Sequence, residues 1–166
     1  MSHHRTTADL LRCIPIPDSP PMNVSGTKAQ MSMVAGDFVE CYSSPQDAGT
    51  FSVVTTIFFL DTAPNVLTYI DTIHNVLEPG GVWINLGPLA WHFEPDEETM
   101  KTGPGQVGGG VELSLDELST VIEKYGFTFE AGGSLNRRSI LTPYMADKLG
   151  MLTYLYNAEF WVARKV

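Results

Sequence analysis

Apolar positions along this chain follow two rhythms. In "FSVVTTIFFL" (51–60) they are β-branched and aromatic and run on both faces, the pattern of a central strand in a parallel sheet. Beyond it, Val66, Leu67, Ile70, Ile73 and Leu77 recur at helical spacing. Asp61 and Thr62 are placed to cap that helix, and Pro64 fits its first turn. "EPGG" ends the helix and turns the chain, and "VWINLGP" (82–88) reads as the next strand. A βαβ unit results, with a right-handed crossover.

After a polar loop, "EPDEETMKTGPGQVGGG", the stretch "SLDE" pairs Ser114 with Glu117 as a capping box. Leu115, Leu118, Val121, Ile122 and Tyr125 line one helix face, and Gly126 closes it. "FTFEA" predicts a strand, "PYMADKLGMLTYLY" is mixed, and "AEFWVARKV" predicts a terminal strand. Upstream, residues 1–36 are turn-rich ("CIPIPDSPPMNVSGT") and read as an extended connector. "GDFVECY" reads as a short strand end or turn. The order β-α-β-α-β-β predicts an α/β sheet whose last strands run antiparallel.

Composition narrows the function. A net charge of −9, with no basic cluster beyond "NRR" and "ARK", argues against binding nucleic-acid backbones or anionic lipid. Cys13 and Cys41 form no metal or redox motif. No apolar run approaches the roughly 20 residues of a membrane span, and the start shows no signal-peptide core. "GPGQVG" (103–108) matches G-x-G-x-x-G, but no strand precedes it and the next helix starts only at Ser114, so it reads as a surface loop.

The chemistry concentrates at two strand ends. Ligands of open α/β sheets bind outside the carboxyl ends of the strands. Asp61 sits at one such end. "LGPLAWHF", with Trp91 and His92, follows the next. Two adjacent parallel strands would bring a carboxylate and an imidazole to one edge. A helix cap for Asp61 and a plain loop position for His92 are the structural alternatives.

"LEPGGVWINLGP" resembles the turn and strand of class I S-adenosylmethionine-dependent methyltransferases. With "MVAGDFVE", "FFLDTAPNVLTYIDTIHNVLEPGGVWINLGPLAWHFE" and "ELSLDEL", the resemblance narrows to the carnosine N-methyltransferase family, from about Pro17 to the end. It implies a Rossmann-like α/β fold and S-adenosyl-L-methionine as methyl donor. It also implies methylation of the imidazole of carnosine, forming anserine, or of a related histidine-containing peptide. By position it assigns Asp37 and Phe38 to the donor. It assigns Asp61, His92, Tyr156 and Tyr144 to the substrate, with Asp61 as the catalytic group.

The glycine-rich first βα unit of that fold is not found upstream of Asp37. Residues 37–166 therefore read as the C-terminal portion of the methyltransferase sheet, with the first βα units missing and an apolar edge exposed. A non-catalytic truncated remnant or interaction module of the same fold is the alternative. A nicotinamide-dependent enzyme is the weaker third reading, because it too needs the missing glycine fingerprint. The expected partner is a small carnosine-like peptide, with no nucleic acid, no membrane and no metal. A homodimer is the candidate assembly, and the cytoplasm, with the nucleus second, the expected location.

Overall fold

The computed structural model describes residues 3–16, 18, 31–93, 110–130, 137–144 and 147–166. The "GPGQVG" loop lies outside them. The chain divides into two compact units, Met1–Gly36 with Pro143–Tyr154, and Asp37–Thr142 with Leu155–Val166.

In the first unit, helix α1 (Thr7–Leu10) is capped by the Thr6 hydroxyl, which accepts from the Asp9 amide. His4 Nε2 lies 2.7 Å and Arg12 3.0 Å from the Asp147 carboxylate. The Leu149 amide, His4 and Arg12 together hold that carboxyl down at about 2. The segment predicted as a plain connector thus contains a helical turn and is tied to residues far along the chain.

The second unit carries the sheet. Its elements are α2 (Phe38–Tyr42), β1 (Phe51–Ile57), α3 (Val66–Val76), β2 (Leu77–Gly87), α4 (Leu115–Lys124), β3 (Phe127–Phe129), β4 (Arg137–Tyr144, in this unit as far as Thr142) and β5 (Tyr154–Lys165, in this unit from Leu155). Strand order is β1-β2-β5-β3, and β4 also pairs with β5. β1 and β2 are parallel, as the βαβ reading requires. β5 runs antiparallel to both β2 and β3.

Core residues follow the predicted periodicities. Val66, Ile70 and Ile73 of α3 and Leu118 and Ile122 of α4 are buried against Trp83, Phe127 and Trp161 of the sheet. Each large side chain removed from water contributes about 1.5–3 kcal/mol. Trp83 and Trp161 meet edge to face at 4.6 Å, a favoured aromatic geometry. Among the described residues β1, whose sequence reads as a central strand, lies at the edge of the sheet and leaves Phe51, Val53 and Ile57 exposed.

Several sequence expectations need correction. Asp61 does not cap α3. Asn65 does, its side-chain oxygen accepting from the Leu67 amide at 2.9 Å. "GDFVECY" is a helix rather than a strand end, because Asp37 caps it by accepting from the amides of Val39 and Glu40. β1 stops at Ile57, since Phe58 takes φ +49° and turns the chain out of the extended conformation. "EPGG" belongs to β2, where pairing jumps from Phe51↔Leu77 to Val53↔Val82. The extra residues form a bulge that absorbs the turn. A further strand, β4, precedes β5, and β5 begins at Tyr154, earlier than "AEFWVARKV" suggested.

Candidate active site

The site lies at the carboxyl ends of β1 and β2. Its geometry starts with Phe58, whose positive φ is the one such value at a non-glycine position among the described residues. A left-handed backbone at a bulky residue costs about 1–3 kcal/mol, and such strain clusters at functional sites. Gly87 leaves room for the turn, because a Cβ there would press on the Phe58 Cα at 3.2 Å. The next residues form a short 3-10 turn, Leu60–Thr62, closed by the Thr62 hydroxyl donating to the Phe59 carbonyl at 2.6 Å. This turn carries Leu60 and Asp61 inward, and Asp61 is 3% exposed.

Asp61 anchors the loop that follows β2. Its Oδ2 accepts from the Ala90 amide at 3.0 Å. Its main-chain carbonyl accepts from the His92 amide at 3.1 Å and lies 3.0 Å from His92 Nδ1. A carbonyl can only accept, so Nδ1 carries a proton, and in the neutral form of His92 Nε2 is the acceptor. The same loop is pinned by Trp91 Nε1 donating to the Leu113 carbonyl at 3.2 Å. Burial pushes the Asp61 carboxyl above its ordinary range, and the Ala90 hydrogen bond and nearby His92 pull it back in part. Environments of that kind are characteristic of functional carboxylates.

Tyr156 reaches the same edge from the opposite direction. The β2–β5 ladder ends at Gly87↔Glu159, so the start of antiparallel β5 projects past the carboxyl end of β2. There the Tyr156 ring packs edge to face on Phe58 at 5.6 Å. Asp61, His92 and Tyr156 are thus gathered at one edge of one body. Tyr144 ends β4 and belongs to the first unit, outside that body.

Asp37 and Phe38 can be tested against a nucleoside donor from their surroundings. Asp37 is exposed, with Oδ1 committed to two amides of α2, so its carboxylate is fixed in direction while Oδ2 takes part in neither cap bond. Phe38 is half-buried, with Phe59 and Tyr69 each 5.2 Å from its ring. A held carboxylate beside a supported ring fits an adenine amino group and its face. Among the described residues no group of three or more His, Cys, Asp or Glu side chains is placed to hold a metal ion. Nor is any helix there long and apolar enough to cross a membrane.

Sequence reasoning missed Phe58, the Ala90 amide and the polar pair Thr56 and Asn85. The break from "FFL" into Asp61 was the visible signal for the first. The others depend on backbone groups and strand register, which no local pattern displays.

Comparisons with known proteins point to one family. The sequence profile described as Carnosine N-methyltransferase matches residues 1–166. A carnosine N-methyltransferase of Schizosaccharomyces pombe is 40% identical over 163 residues, covering 98% of this chain and 42% of that protein. One from Rattus norvegicus is 39% identical over 164 residues, covering 99% of this chain and 37% of its own length. The chain therefore spans about two-fifths of the length of the curated relatives it matches. Among solved structures, a SAM-dependent methyltransferase from Methanosarcina mazei aligns at 16% identity with a TM-score of 0.43, covering 72% of this chain and 61% of that one. On the profile match over its whole length, the chain belongs to the carnosine N-methyltransferase family.

Proposed function

We propose that this chain carries the imidazole-binding part of an S-adenosylmethionine-dependent N-methyltransferase. Its substrate is carnosine, methylated to anserine, or a related histidine-containing peptide. One observation carries the reading. In a member of this family, a buried carboxylate stands at the carboxyl ends of two parallel strands, with an imidazole bonded to its main-chain carbonyl and a tyrosine packed on Phe58, three residues before it.

A neutral imidazole offers one lone-pair nitrogen and one N–H. The Asp61 carboxylate accepts the N–H, which selects the tautomer whose lone pair faces away from Asp61. As the lone pair bonds to the methyl carbon, the sulfonium S–C bond would break and leave its electron pair on sulfur as a neutral thioether. The ring becomes the cation, Asp61 stabilises that charge through the same hydrogen bond, and loss of the ring N–H proton to solvent gives the neutral methylated ring. Burial, which disfavours an isolated carboxylate, strengthens its attraction for the new cation. Neutral imidazole is already a nucleophile, so no prior deprotonation is needed, and orientation supplies much of the rate. His92 Nε2 accepts an N–H of the peptide, and Tyr156 holds the ring in place. When bound, the sulfonium donor supplies the methyl group, and Asp37 and Phe38 would hold its adenine.

The test is a two-part assay on this chain. S-adenosylhomocysteine should raise its melting temperature, and labelled donor should yield methylated carnosine. The absence of both effects would overturn the proposal in favour of a non-catalytic module.

A further inference from the structure

The sheet contains a buried polar relay that the reaction does not use directly. Thr56 and Asn85 face each other across β1 and β2 and are 3% and 4% exposed. The Thr56 hydroxyl donates to Asn85 Oδ1 at 2.8 Å and accepts from Trp83 Nε1 at 2.9 Å. Asn85 Nδ2 then donates to the Glu159 carbonyl at 3.3 Å. The relay therefore ties together β1, β2 and β5, the three strands that lead to Asp61, His92 and Tyr156.

We infer that Asn85 and Thr56 are positioning residues for the substrate pocket, holding the start of β5 so that Tyr156 meets Phe58 beside Asp61. The inference rests on the proposed function for the identity of the ligand. Its physical basis is independent. Buried polar groups are costly unless paired, and apolar replacements in the same row would pack without that cost. Burial of Trp161 already opposes a two-residue slip of β5, which would move Tyr156 by about 7 Å. The relay adds finer control at the last tether between β5 and β2, beyond which β4 is the strand's partner. Glu159 closes the ladder opposite Gly87, and Tyr156 lies three residues beyond, where β2 no longer supports the strand. A supporting shell of this kind separates a formed site from one about 1 Å too loose.

The test uses Asn85→Leu and Thr56→Val, with Thr56→Ser restoring the hydroxyl. Three readouts are compared: carnosine affinity by NMR titration, the Phe58–Tyr156 ring contact by nuclear Overhauser effect, and S-adenosylhomocysteine affinity. The inference expects about a tenfold loss of carnosine affinity and a lost ring contact in the first two variants. Donor-analogue affinity should stay unchanged, and Thr56→Ser should retain all three readouts. A folded Asn85→Leu or Thr56→Val protein with the ring contact and carnosine affinity intact would overturn it. If the unaltered chain binds no carnosine, the proposed function falls, while the ring contact still decides whether the relay positions Tyr156.

Discussion

Replacing Asp61 by alanine and by asparagine separates its structural work from its chemical work. Alanine removes the acceptor of the Ala90 amide, while asparagine keeps an oxygen in the same place. Ala90 is itself exposed, so water can replace the lost partner. The cost is then near the net value of one hydrogen bond, about 1 kcal/mol. In a chain of this size, that corresponds to a melting temperature roughly 2–4 °C lower for Asp61→Ala than for Asp61→Asn. Asparagine also removes the burden of a buried charge. Because burial raises the folded carboxyl above its ordinary value, the folded state binds its proton more tightly than the unfolded state does. Asp61 therefore costs stability as pH rises from the ordinary carboxylate range through the raised folded value, and the cost persists above it. Asp61→Asn should be at least as stable as the unaltered chain at neutral pH, and that margin should vanish on acidification below the ordinary range. Thermal melts from pH 3 to 8 test this. An asparagine variant less stable than the unaltered chain at neutral pH, or a pH-independent margin, would refute the reasoning.

Other expectations follow from single contacts. His92→Asn keeps a donor near the Nδ1 position for the Asp61 carbonyl but loses the Nε2 acceptor, so carnosine affinity by titration calorimetry should fall with little change in melting temperature. Gly87→Ala drives a methyl group against the Phe58 backbone, and chemical denaturation should show a loss of about 1–3 kcal/mol. Lys165 donates to the carbonyls of His74 and Leu77 at 2.6 and 2.7 Å. His74 is held below its ordinary range first by burial and then by that lysine. Lys165→Met should therefore raise the His74 titration midpoint seen by NMR without restoring it fully.

The legible parts of this molecule were those whose signals repeat. β1, α3 and α4 each announce themselves through several residues in one rhythm, and the capping box at Ser114 and Glu117 forms as read. The parallel pairing of β1 and β2 follows from the helix between them, and it is what brings Asp61 and His92 to one edge. Single-residue signals fared less well. Asp61 and Asn65 are equally good cap residues four positions apart, and only tertiary placement decides between them. α2 has five residues, too few for a period to show. The Asp61–Ala90 bond spans 29 residues and ends on a backbone amide, which is the same for any residue but proline. Thr56 and Asn85 become partners only once register is known.

The central claim is that Asp61 accepts the far N–H of a substrate imidazole. The nitrogen chemical shifts of carnosine labelled with nitrogen-15 in its ring, bound to this chain, report on it most directly. The account predicts a single neutral tautomer on binding, lost or scrambled with Asp61→Asn. A bound ring that is a mixture of tautomers, or whose shifts are the same in the asparagine variant, would contradict it.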